Sequence, residues 1–192
     1  MDDKSPEFIP VALSGIEDAT RHHGFDMASE YKTGTLLRTL AASKPGGRFL
    51  EVGTGTGLSA AWLLDGMDKN SHLISVELDA EVSAIANTHL GDDSRLSLVV
   101  ADGNAWLRET NEDPFDLIFA DAMPGKYETF GEAWSLLKPG GLYIIDDMLP
   151  QPNWPDGHAS RVAALLTNLD ERVDCHLTRM AWASGIVVVV KK

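Results

Sequence analysis

The sequence predicts one α/β domain, a seven-stranded, mostly parallel sheet with helices on both faces and an antiparallel hairpin at its C-terminal end. Three observations predict it. Short, nearly continuous apolar runs ending in an acid or a glycine recur along the chain, as buried parallel strands do. Helical patterns separate these runs at the spacing of βαβ units. The last two runs are joined by only a few residues around Ser184-Gly185, too short a link for a parallel return.

Taken in order, two helical stretches over 9–21 and 29–42 form an accessory N-terminal region (1–45), ahead of a core (46–192). They are candidates for a homodimer surface or for a cover over an acceptor site, and no apolar stripe in them chooses. Pro45-Gly46-Gly47 turns into the first strand, 48–52. Strands over 72–77, 96–100, 115–120 and 142–145 follow, separated by helices over 58–67, 80–90, 104–110 and 127–137. A helix over 159–169 then leads to hairpin strands over 173–181 and 186–190.

The bulk composition narrows the class. At 192 residues the chain suits a single domain. With 29 acidic against 16 basic residues and a net charge of −13, it lacks the cations that grip a phosphate backbone, so nucleic acid is not expected as a partner. A cationic small molecule suits such a field. The single cysteine, Cys175, excludes an internal disulfide framework and a cysteine-rich zinc site. No apolar run approaches bilayer length, so no membrane association is expected. Met1-Asp2-Asp3-Lys4-Ser5-Pro6 lacks the features of a signal peptide, so a cytoplasmic protein is expected.

The strongest local signal is Glu51-Val52-Gly53-Thr54-Gly55-Thr56-Gly57-Leu58-Ser59. A strand ends, glycines let the backbone turn tightly and approach a ligand, and a helix begins whose free N–H groups near Ser59 attract a carboxylate. A tight turn with no ligand is the bland reading of this motif alone. Glu77 then ends the second strand, where an acid accepts both hydroxyls of a ribose. The glycines run G-x-G-x-G, unlike the G-x-G-x-x-G that makes room for a pyrophosphate, and Glu51 precedes them. A carboxylate there repels a phosphate but attracts an ammonium or a sulfonium. Asp102, ending the third strand, is placed to accept from an adenine amino group, although one such acid by itself is commonly a helix cap.

These residues carry a resemblance. The chain resembles the class I S-adenosylmethionine-dependent methyltransferases, and is most similar to the O-methyltransferases that include the catechol and caffeoyl-coenzyme A enzymes. The likeness runs from roughly Ser29 to the C-terminus. It rests on the segment from Phe49 to Ala60, on Glu77-Leu78-Asp79, on the segment from Phe115 to Ala122, and on Leu137-Lys138-Pro139-Gly140-Gly141 leading to Asp146-Asp147. It implies a Rossmann-like domain with strand order 3-2-1-4-5-7-6 and an antiparallel seventh strand. It also implies that Gly53 and Ser59 hold the methionine part of S-adenosylmethionine, Glu77 the ribose and Asp102 the adenine side. Glu51, Thr54, Gly55, Leu78, Gly103 and Asp121 complete the expected cofactor-binding set.

At the reacting end, Asp121 closes the fourth strand and Asp146-Asp147 the fifth. Three carboxylates at one crevice suit a hard divalent cation such as Mg2+, which would lower the pKa of an acceptor hydroxyl and aim it at the methyl group. The alternative is that Asp121 holds the cofactor's ammonium while Asp146 and Asp147 cap a loop. The resembling family has Asp, Asp and Asn here and commonly reads D-A-D-K-x-x-Y. This chain has Asp147 at the Asn position and Asp121-Ala122-Met123-Pro124-Gly125-Lys126-Tyr127 in the segment, so Met123 and Pro124 replace the second acid and the lysine. Lys126 lies close in sequence, and its direction is not written there. Past the fifth strand, Trp154 is a candidate wall for an aromatic acceptor and His158 a candidate general base. Their bland readings are a packed loop and a histidine at a helix start. Asp121, Asp146 and His158 are thus the expected catalytic residues. His22-His23 are a weaker candidate and read better as solvated loop residues.

Four functions compete. The favoured one is methyl transfer to the hydroxyl of a small aromatic acceptor. Nitrogen methylation on protein or nucleic acid fits Asp121-Ala122-Met123-Pro124 poorly, because such enzymes often carry Asn/Asp-Pro-Pro-Tyr there. A nicotinamide-linked oxidoreductase fails on glycine spacing and on the hairpin. A cofactor-binding module without catalysis stays open, since fold does not fix chemistry.

Overall fold

A computed structural model describes residues 8–152 and 154–192. The leader reading at Met1–Pro6, and Asn153 in the proline-rich segment, lie outside the described residues. The element order is α1 (Leu13–His23), α2 (Tyr31–Ala42), β1 (Arg48–Val52), α3 (Leu58–Gly66), β2 (His72–Glu77), α4 (Ala80–Leu90), β3 (Leu96–Val100), α5 (Gly103–Glu109), β4 (Phe115–Ala120), α6 (Phe130–Ser135), β5 (Leu137–Ile145), α7 (His158–Glu171), β6 (Cys175–Met180) and β7 (Ile186–Lys191). The strands form one sheet in the order β3-β2-β1-β4-β5-β7-β6. The first five pair in parallel, and β7 runs antiparallel to both β5 and β6. The expected architecture and terminal hairpin are therefore present.

Alternation along each strand divides the core between the two faces. Phe49, Leu73, Leu117, Phe119 and Ile144 face α1, α2 and α3. Leu50, Val52, Ile74, Ile118, Tyr143 and Ile145 face α5, α6 and α7. The two N-terminal helices are thus part of the packed layer over the sheet. Trp62 and Trp134 are buried on opposite faces.

Two boundaries depart from expectation around residue 137. The helix expected over 127–137 shortens to α6, because residues 123–127 form a turn in which the Tyr127 N–H donates to the Met123 carbonyl. The strand expected over 142–145 begins at Leu137. Lys138-Pro139-Gly140-Gly141 loops out between the pairs Phe115↔Leu137 and Leu117↔Leu142, with Gly140 at φ 75. The apolar strand signal stops at this bulge although the pairing resumes across it. Among the described residues no helix is long and apolar enough to cross a membrane.

Candidate cofactor and acceptor site

The chain reverses its direction of progress across the sheet between β1 and β4, and a ligand crevice opens at the carboxyl ends of such strands. Here that crevice is a cavity of about 430 Å³. Its floor is the turn after β1, where Gly53 at φ 99 and Gly57 at φ 97 hold conformations closed to most side chains. A Cβ on Gly53 would lie 2.8 Å from the Asp121 carbonyl, so this close approach of the β1 and β4 ends requires glycine. Ser59 lines the cavity in the first turn of α3.

The acids divide by role. Glu77 lines the cavity and accepts from the N–H groups of Gly55, Leu78 and Asp79 at 2.8, 2.9 and 3.1 Å. It therefore fixes the glycine turn as well as facing the ligand space. Asp102 lines the same cavity and also caps α5 by accepting from the Ala105 N–H at 2.9 Å. Thr54, Gly55, Leu78, Gly103 and Asp121 line it too. Glu51 does not. It is fully buried behind the wall, opposite Ser75 in the β1–β2 register, and accepts from the Ser75 hydroxyl, which also pairs with that of Thr54. Burial pushes the Glu51 carboxyl up to about 7 against the opposing pull of Ser59 and Ser75, and the charge of Glu77 adds to the rise. Glu51 thus braces the turn from below. A side-chain-free glycine floor, an acid positioned for a diol and a helix N-terminus together fit a nucleoside bearing an amino-acid tail.

A second cavity, of about 450 Å³, adjoins the first and shares Met27, Ala28, Ser29, Asp121, Ala122 and Met123 with it. Lys126, Asp146, Asp147, Trp154, His158 and Ser184 also line it. The Ser29 hydroxyl donates to Asp121 at 3.0 Å. Burial, with Asp146 close by, holds the Asp121 carboxyl well above the usual carboxylate range, against the pull of Lys126. Burial raises Asp146 as well, opposed by the Ser184 hydroxyl and the Asp147 N–H, both of which it accepts on Oδ1, and by Lys126. Asp147, at φ 59, turns its carboxylate to the Trp154 indole N–H at 2.9 Å and lies 3.9 Å from His158 Nε2. His158 Nε2 is 3.2 Å from the Tyr127 hydroxyl.

The donor set does not fit a divalent cation. Among the described residues no three His, Cys, Asp or Glu side chains converge on one point. Asp121, Asp146 and Asp147 reach the same cavity, but each carboxylate is turned to its own hydrogen-bond donor, and a lysine stands among them.

Sequence reasoning missed two contributions. Segment 25–30, of which 25–28 fall between the expected helices and 29–30 within the second, lines both cavities through Met27, Ala28 and Ser29, and α2 begins only at Tyr31. Lys126, whose direction was open, points inward and is 3% exposed. His22 and His23 are exposed at the end of α1 and line neither cavity.

Fold and crevice together define a doubly wound α/β protein whose crevice fits a nucleoside cofactor, with a second cavity beside it. Residues 50–148 match the methyltransferase domain family. A protein of Mycobacterium ulcerans (strain Agy99), assigned by name to the O-methyltransferases, is 32% identical over 170 residues, covering 82% of this chain and 75% of the relative. The chain belongs to this family of S-adenosylmethionine-dependent O-methyltransferases. Among solved structures, the O-methyltransferase TomG of Streptomyces achromogenes, in complex with SAM and involved in tomaymycin synthesis, matches with a TM-score of 0.83 and 25% identity, covering 96% of this chain and 91% of that one. The O-methyltransferase of Bacillus cereus in complex with SAH matches in fold with a TM-score of 0.85 at 18% identity, covering 97% of this chain and 93% of that one.

Proposed function

We propose that the protein transfers the methyl group of S-adenosylmethionine to the hydroxyl oxygen of a small aromatic acceptor in the second cavity. The observation that carries this reading is the shared wall. Ser29, Asp121, Ala122 and Met123 line both cavities, so a group bound in one abuts a group bound in the other. Holding two reactants in such contact supplies much of a displacement reaction's rate.

In this reading Glu77, Asp102 and the glycine turn hold the cofactor, with Asp121 beside its amino-acid end. When bound, the cofactor supplies an electrophilic methyl carbon, and the sulfur keeps the electron pair of the broken bond as the acceptor oxygen forms the new one. Met27, Met123 and the half-buried Trp154 give a planar ring apolar walls. His158 takes the hydroxyl proton. Burial and the charge of Lys126 lower its pKa, leaving the ring neutral and able to accept at neutral pH. A net charge of −13 favours a small acceptor over nucleic acid. No step is assigned to a metal.

Incubation with methyl-tritiated S-adenosylmethionine and a panel of phenols tests this directly. Label should appear on phenolic oxygen, and His158→Ala should slow transfer by about 100-fold. Label on amines alone would contradict the reading. Cofactor binding without transfer to any acceptor would favour the non-catalytic module instead.

A further inference from the structure

Lys126 is a buried cation that the fold has gone to some length to place. The turn that carries it is pinned from the core. Tyr143, fully buried on β5, donates its hydroxyl to the Gly125 carbonyl at 2.6 Å, and the Gly125 N–H donates to the Thr129 hydroxyl at 3.0 Å. Gly125 is at φ 75, a conformation that turns the chain so that the next side chain enters the cavity. Lys126 lines that cavity with Asp121, Asp146, Asp147 and His158, and is 3% exposed. Yet among the described residues no carboxylate oxygen comes within ion-pair distance of its ammonium and no acceptor takes a hydrogen bond from it. Its ammonium lies 5.5 Å from the centre of the neighbouring Tyr127 ring.

The side chain is packed away while its ammonium faces the open cavity, where an entering group can take its donors. Asp121 and Asp146 are near enough to feel its charge, and one oxygen of each is held by other donors, Asp121 Oδ2 by Ser29 and Asp146 Oδ1 by Ser184 and the Asp147 backbone. Asp147 is held by Trp154. A divalent ion brought to these carboxylates would face the Lys126 ammonium across the same space. The ammonium is therefore in the place, and has the free donors, to hold an oxygen that enters the cavity.

We propose that Lys126 holds the acceptor oxygen in place of a divalent cation, so that the protein takes aromatic acceptors with a single hydroxyl and needs no chelating pair. This rests on the methyl-transfer reading of the same site. The positive charge favours the oxygen as its proton leaves, and a hydrogen bond to a charged donor holds it at one point. The opposing field of Asp26 and Glu30 is weaker, because both are exposed at the cavity rim and screened by salt.

Two titrations on the full chain loaded with S-adenosylhomocysteine test this, using 4-nitrophenol and Mn2+ as probes. 4-Nitrophenol should bind as its visible-absorbing phenolate, equally with and without chelator. Lys126→Met should weaken that binding by about 10- to 100-fold, the worth of a hydrogen bond to a charge, while Lys126→Arg retains part of it. The electron paramagnetic resonance signal of added Mn2+ should stay that of the free ion. Binding of 4-nitrophenol that requires Mn2+, that is indifferent to Lys126→Met, or that does not occur at all would overturn the proposal. So would one tightly bound Mn2+ per chain that Asp146→Asn removes. S-Adenosylhomocysteine affinity is read in the same samples, and its loss would count against the methyl-transfer reading rather than against Lys126. Retention of that affinity in Lys126→Met also shows that the variant is folded.

Discussion

Glu51 carries a charge where the fold offers little to solvate it. It is fully buried, one oxygen accepts from Ser75, and the other has no hydrogen-bond partner among the described residues. Its pKa is about 7 in the folded chain, above the ordinary carboxylate value. The folded state therefore binds this proton more tightly than the unfolded chain does. Stability from this group is greatest at low pH and falls as pH rises from its unfolded value toward about 7. Glu51→Gln, which mimics the protonated form, should match the parent protein at about pH 4 and exceed its stability at about pH 8 by about 3 kcal/mol in urea unfolding of the cofactor-free protein. A constant difference across that range would refute the burial account. At this scale the motif and its acids were legible in the sequence, but the direction in which each acid looks was not. Glu51 faces inward because strand alternation sets it beside Phe49's face, while Glu77, one strand over, sits at the open end. Lys126 was harder still, because its position depends on the left-handed Gly125 and on Tyr143, eighteen residues beyond that glycine in sequence.

Between elements, the closest packing joins α2 to α3. A Cβ on Gly34 would lie 2.2 Å from Trp62 Cδ1, and one on Gly66 would lie 2.1 Å from the Arg38 carbonyl oxygen. Neither helix can accept even a methyl group there without shifting, and the Trp62 ring has no room to turn away because it is buried in that face of the core. Gly34→Ala should therefore cost about 1–3 kcal/mol of stability, measured by denaturant unfolding, despite the better helix propensity of alanine. A gain in stability would show that the two helices are free to move apart. The strands and most helices could be read from periodicity because their burial repeats along the chain. The bulge at residues 138–141 could not, since it interrupts that periodicity while the ladder continues. Residues 25–28 have no periodicity to read, and the helical pattern over 29–42 does not show that Ser29 reaches Asp121, ninety-two residues away.

Across the whole molecule, the sheet sets two cavities side by side at the ends of its central strands, and the segment between the two N-terminal helices lines both. The central claim is that the first of these holds S-adenosylmethionine through the glycine turn and Glu77. Because Glu77 both faces the ligand space and ties down the turn, its loss should weaken the cofactor more than it weakens the fold. Calorimetric titration with S-adenosylhomocysteine measures this most directly. The account predicts one binding event per chain, with affinity lowered about tenfold or more in Glu77→Ala, equivalent to ~1.4 kcal/mol or more. Absence of binding to the parent protein, or binding unchanged in Glu77→Ala, would contradict it.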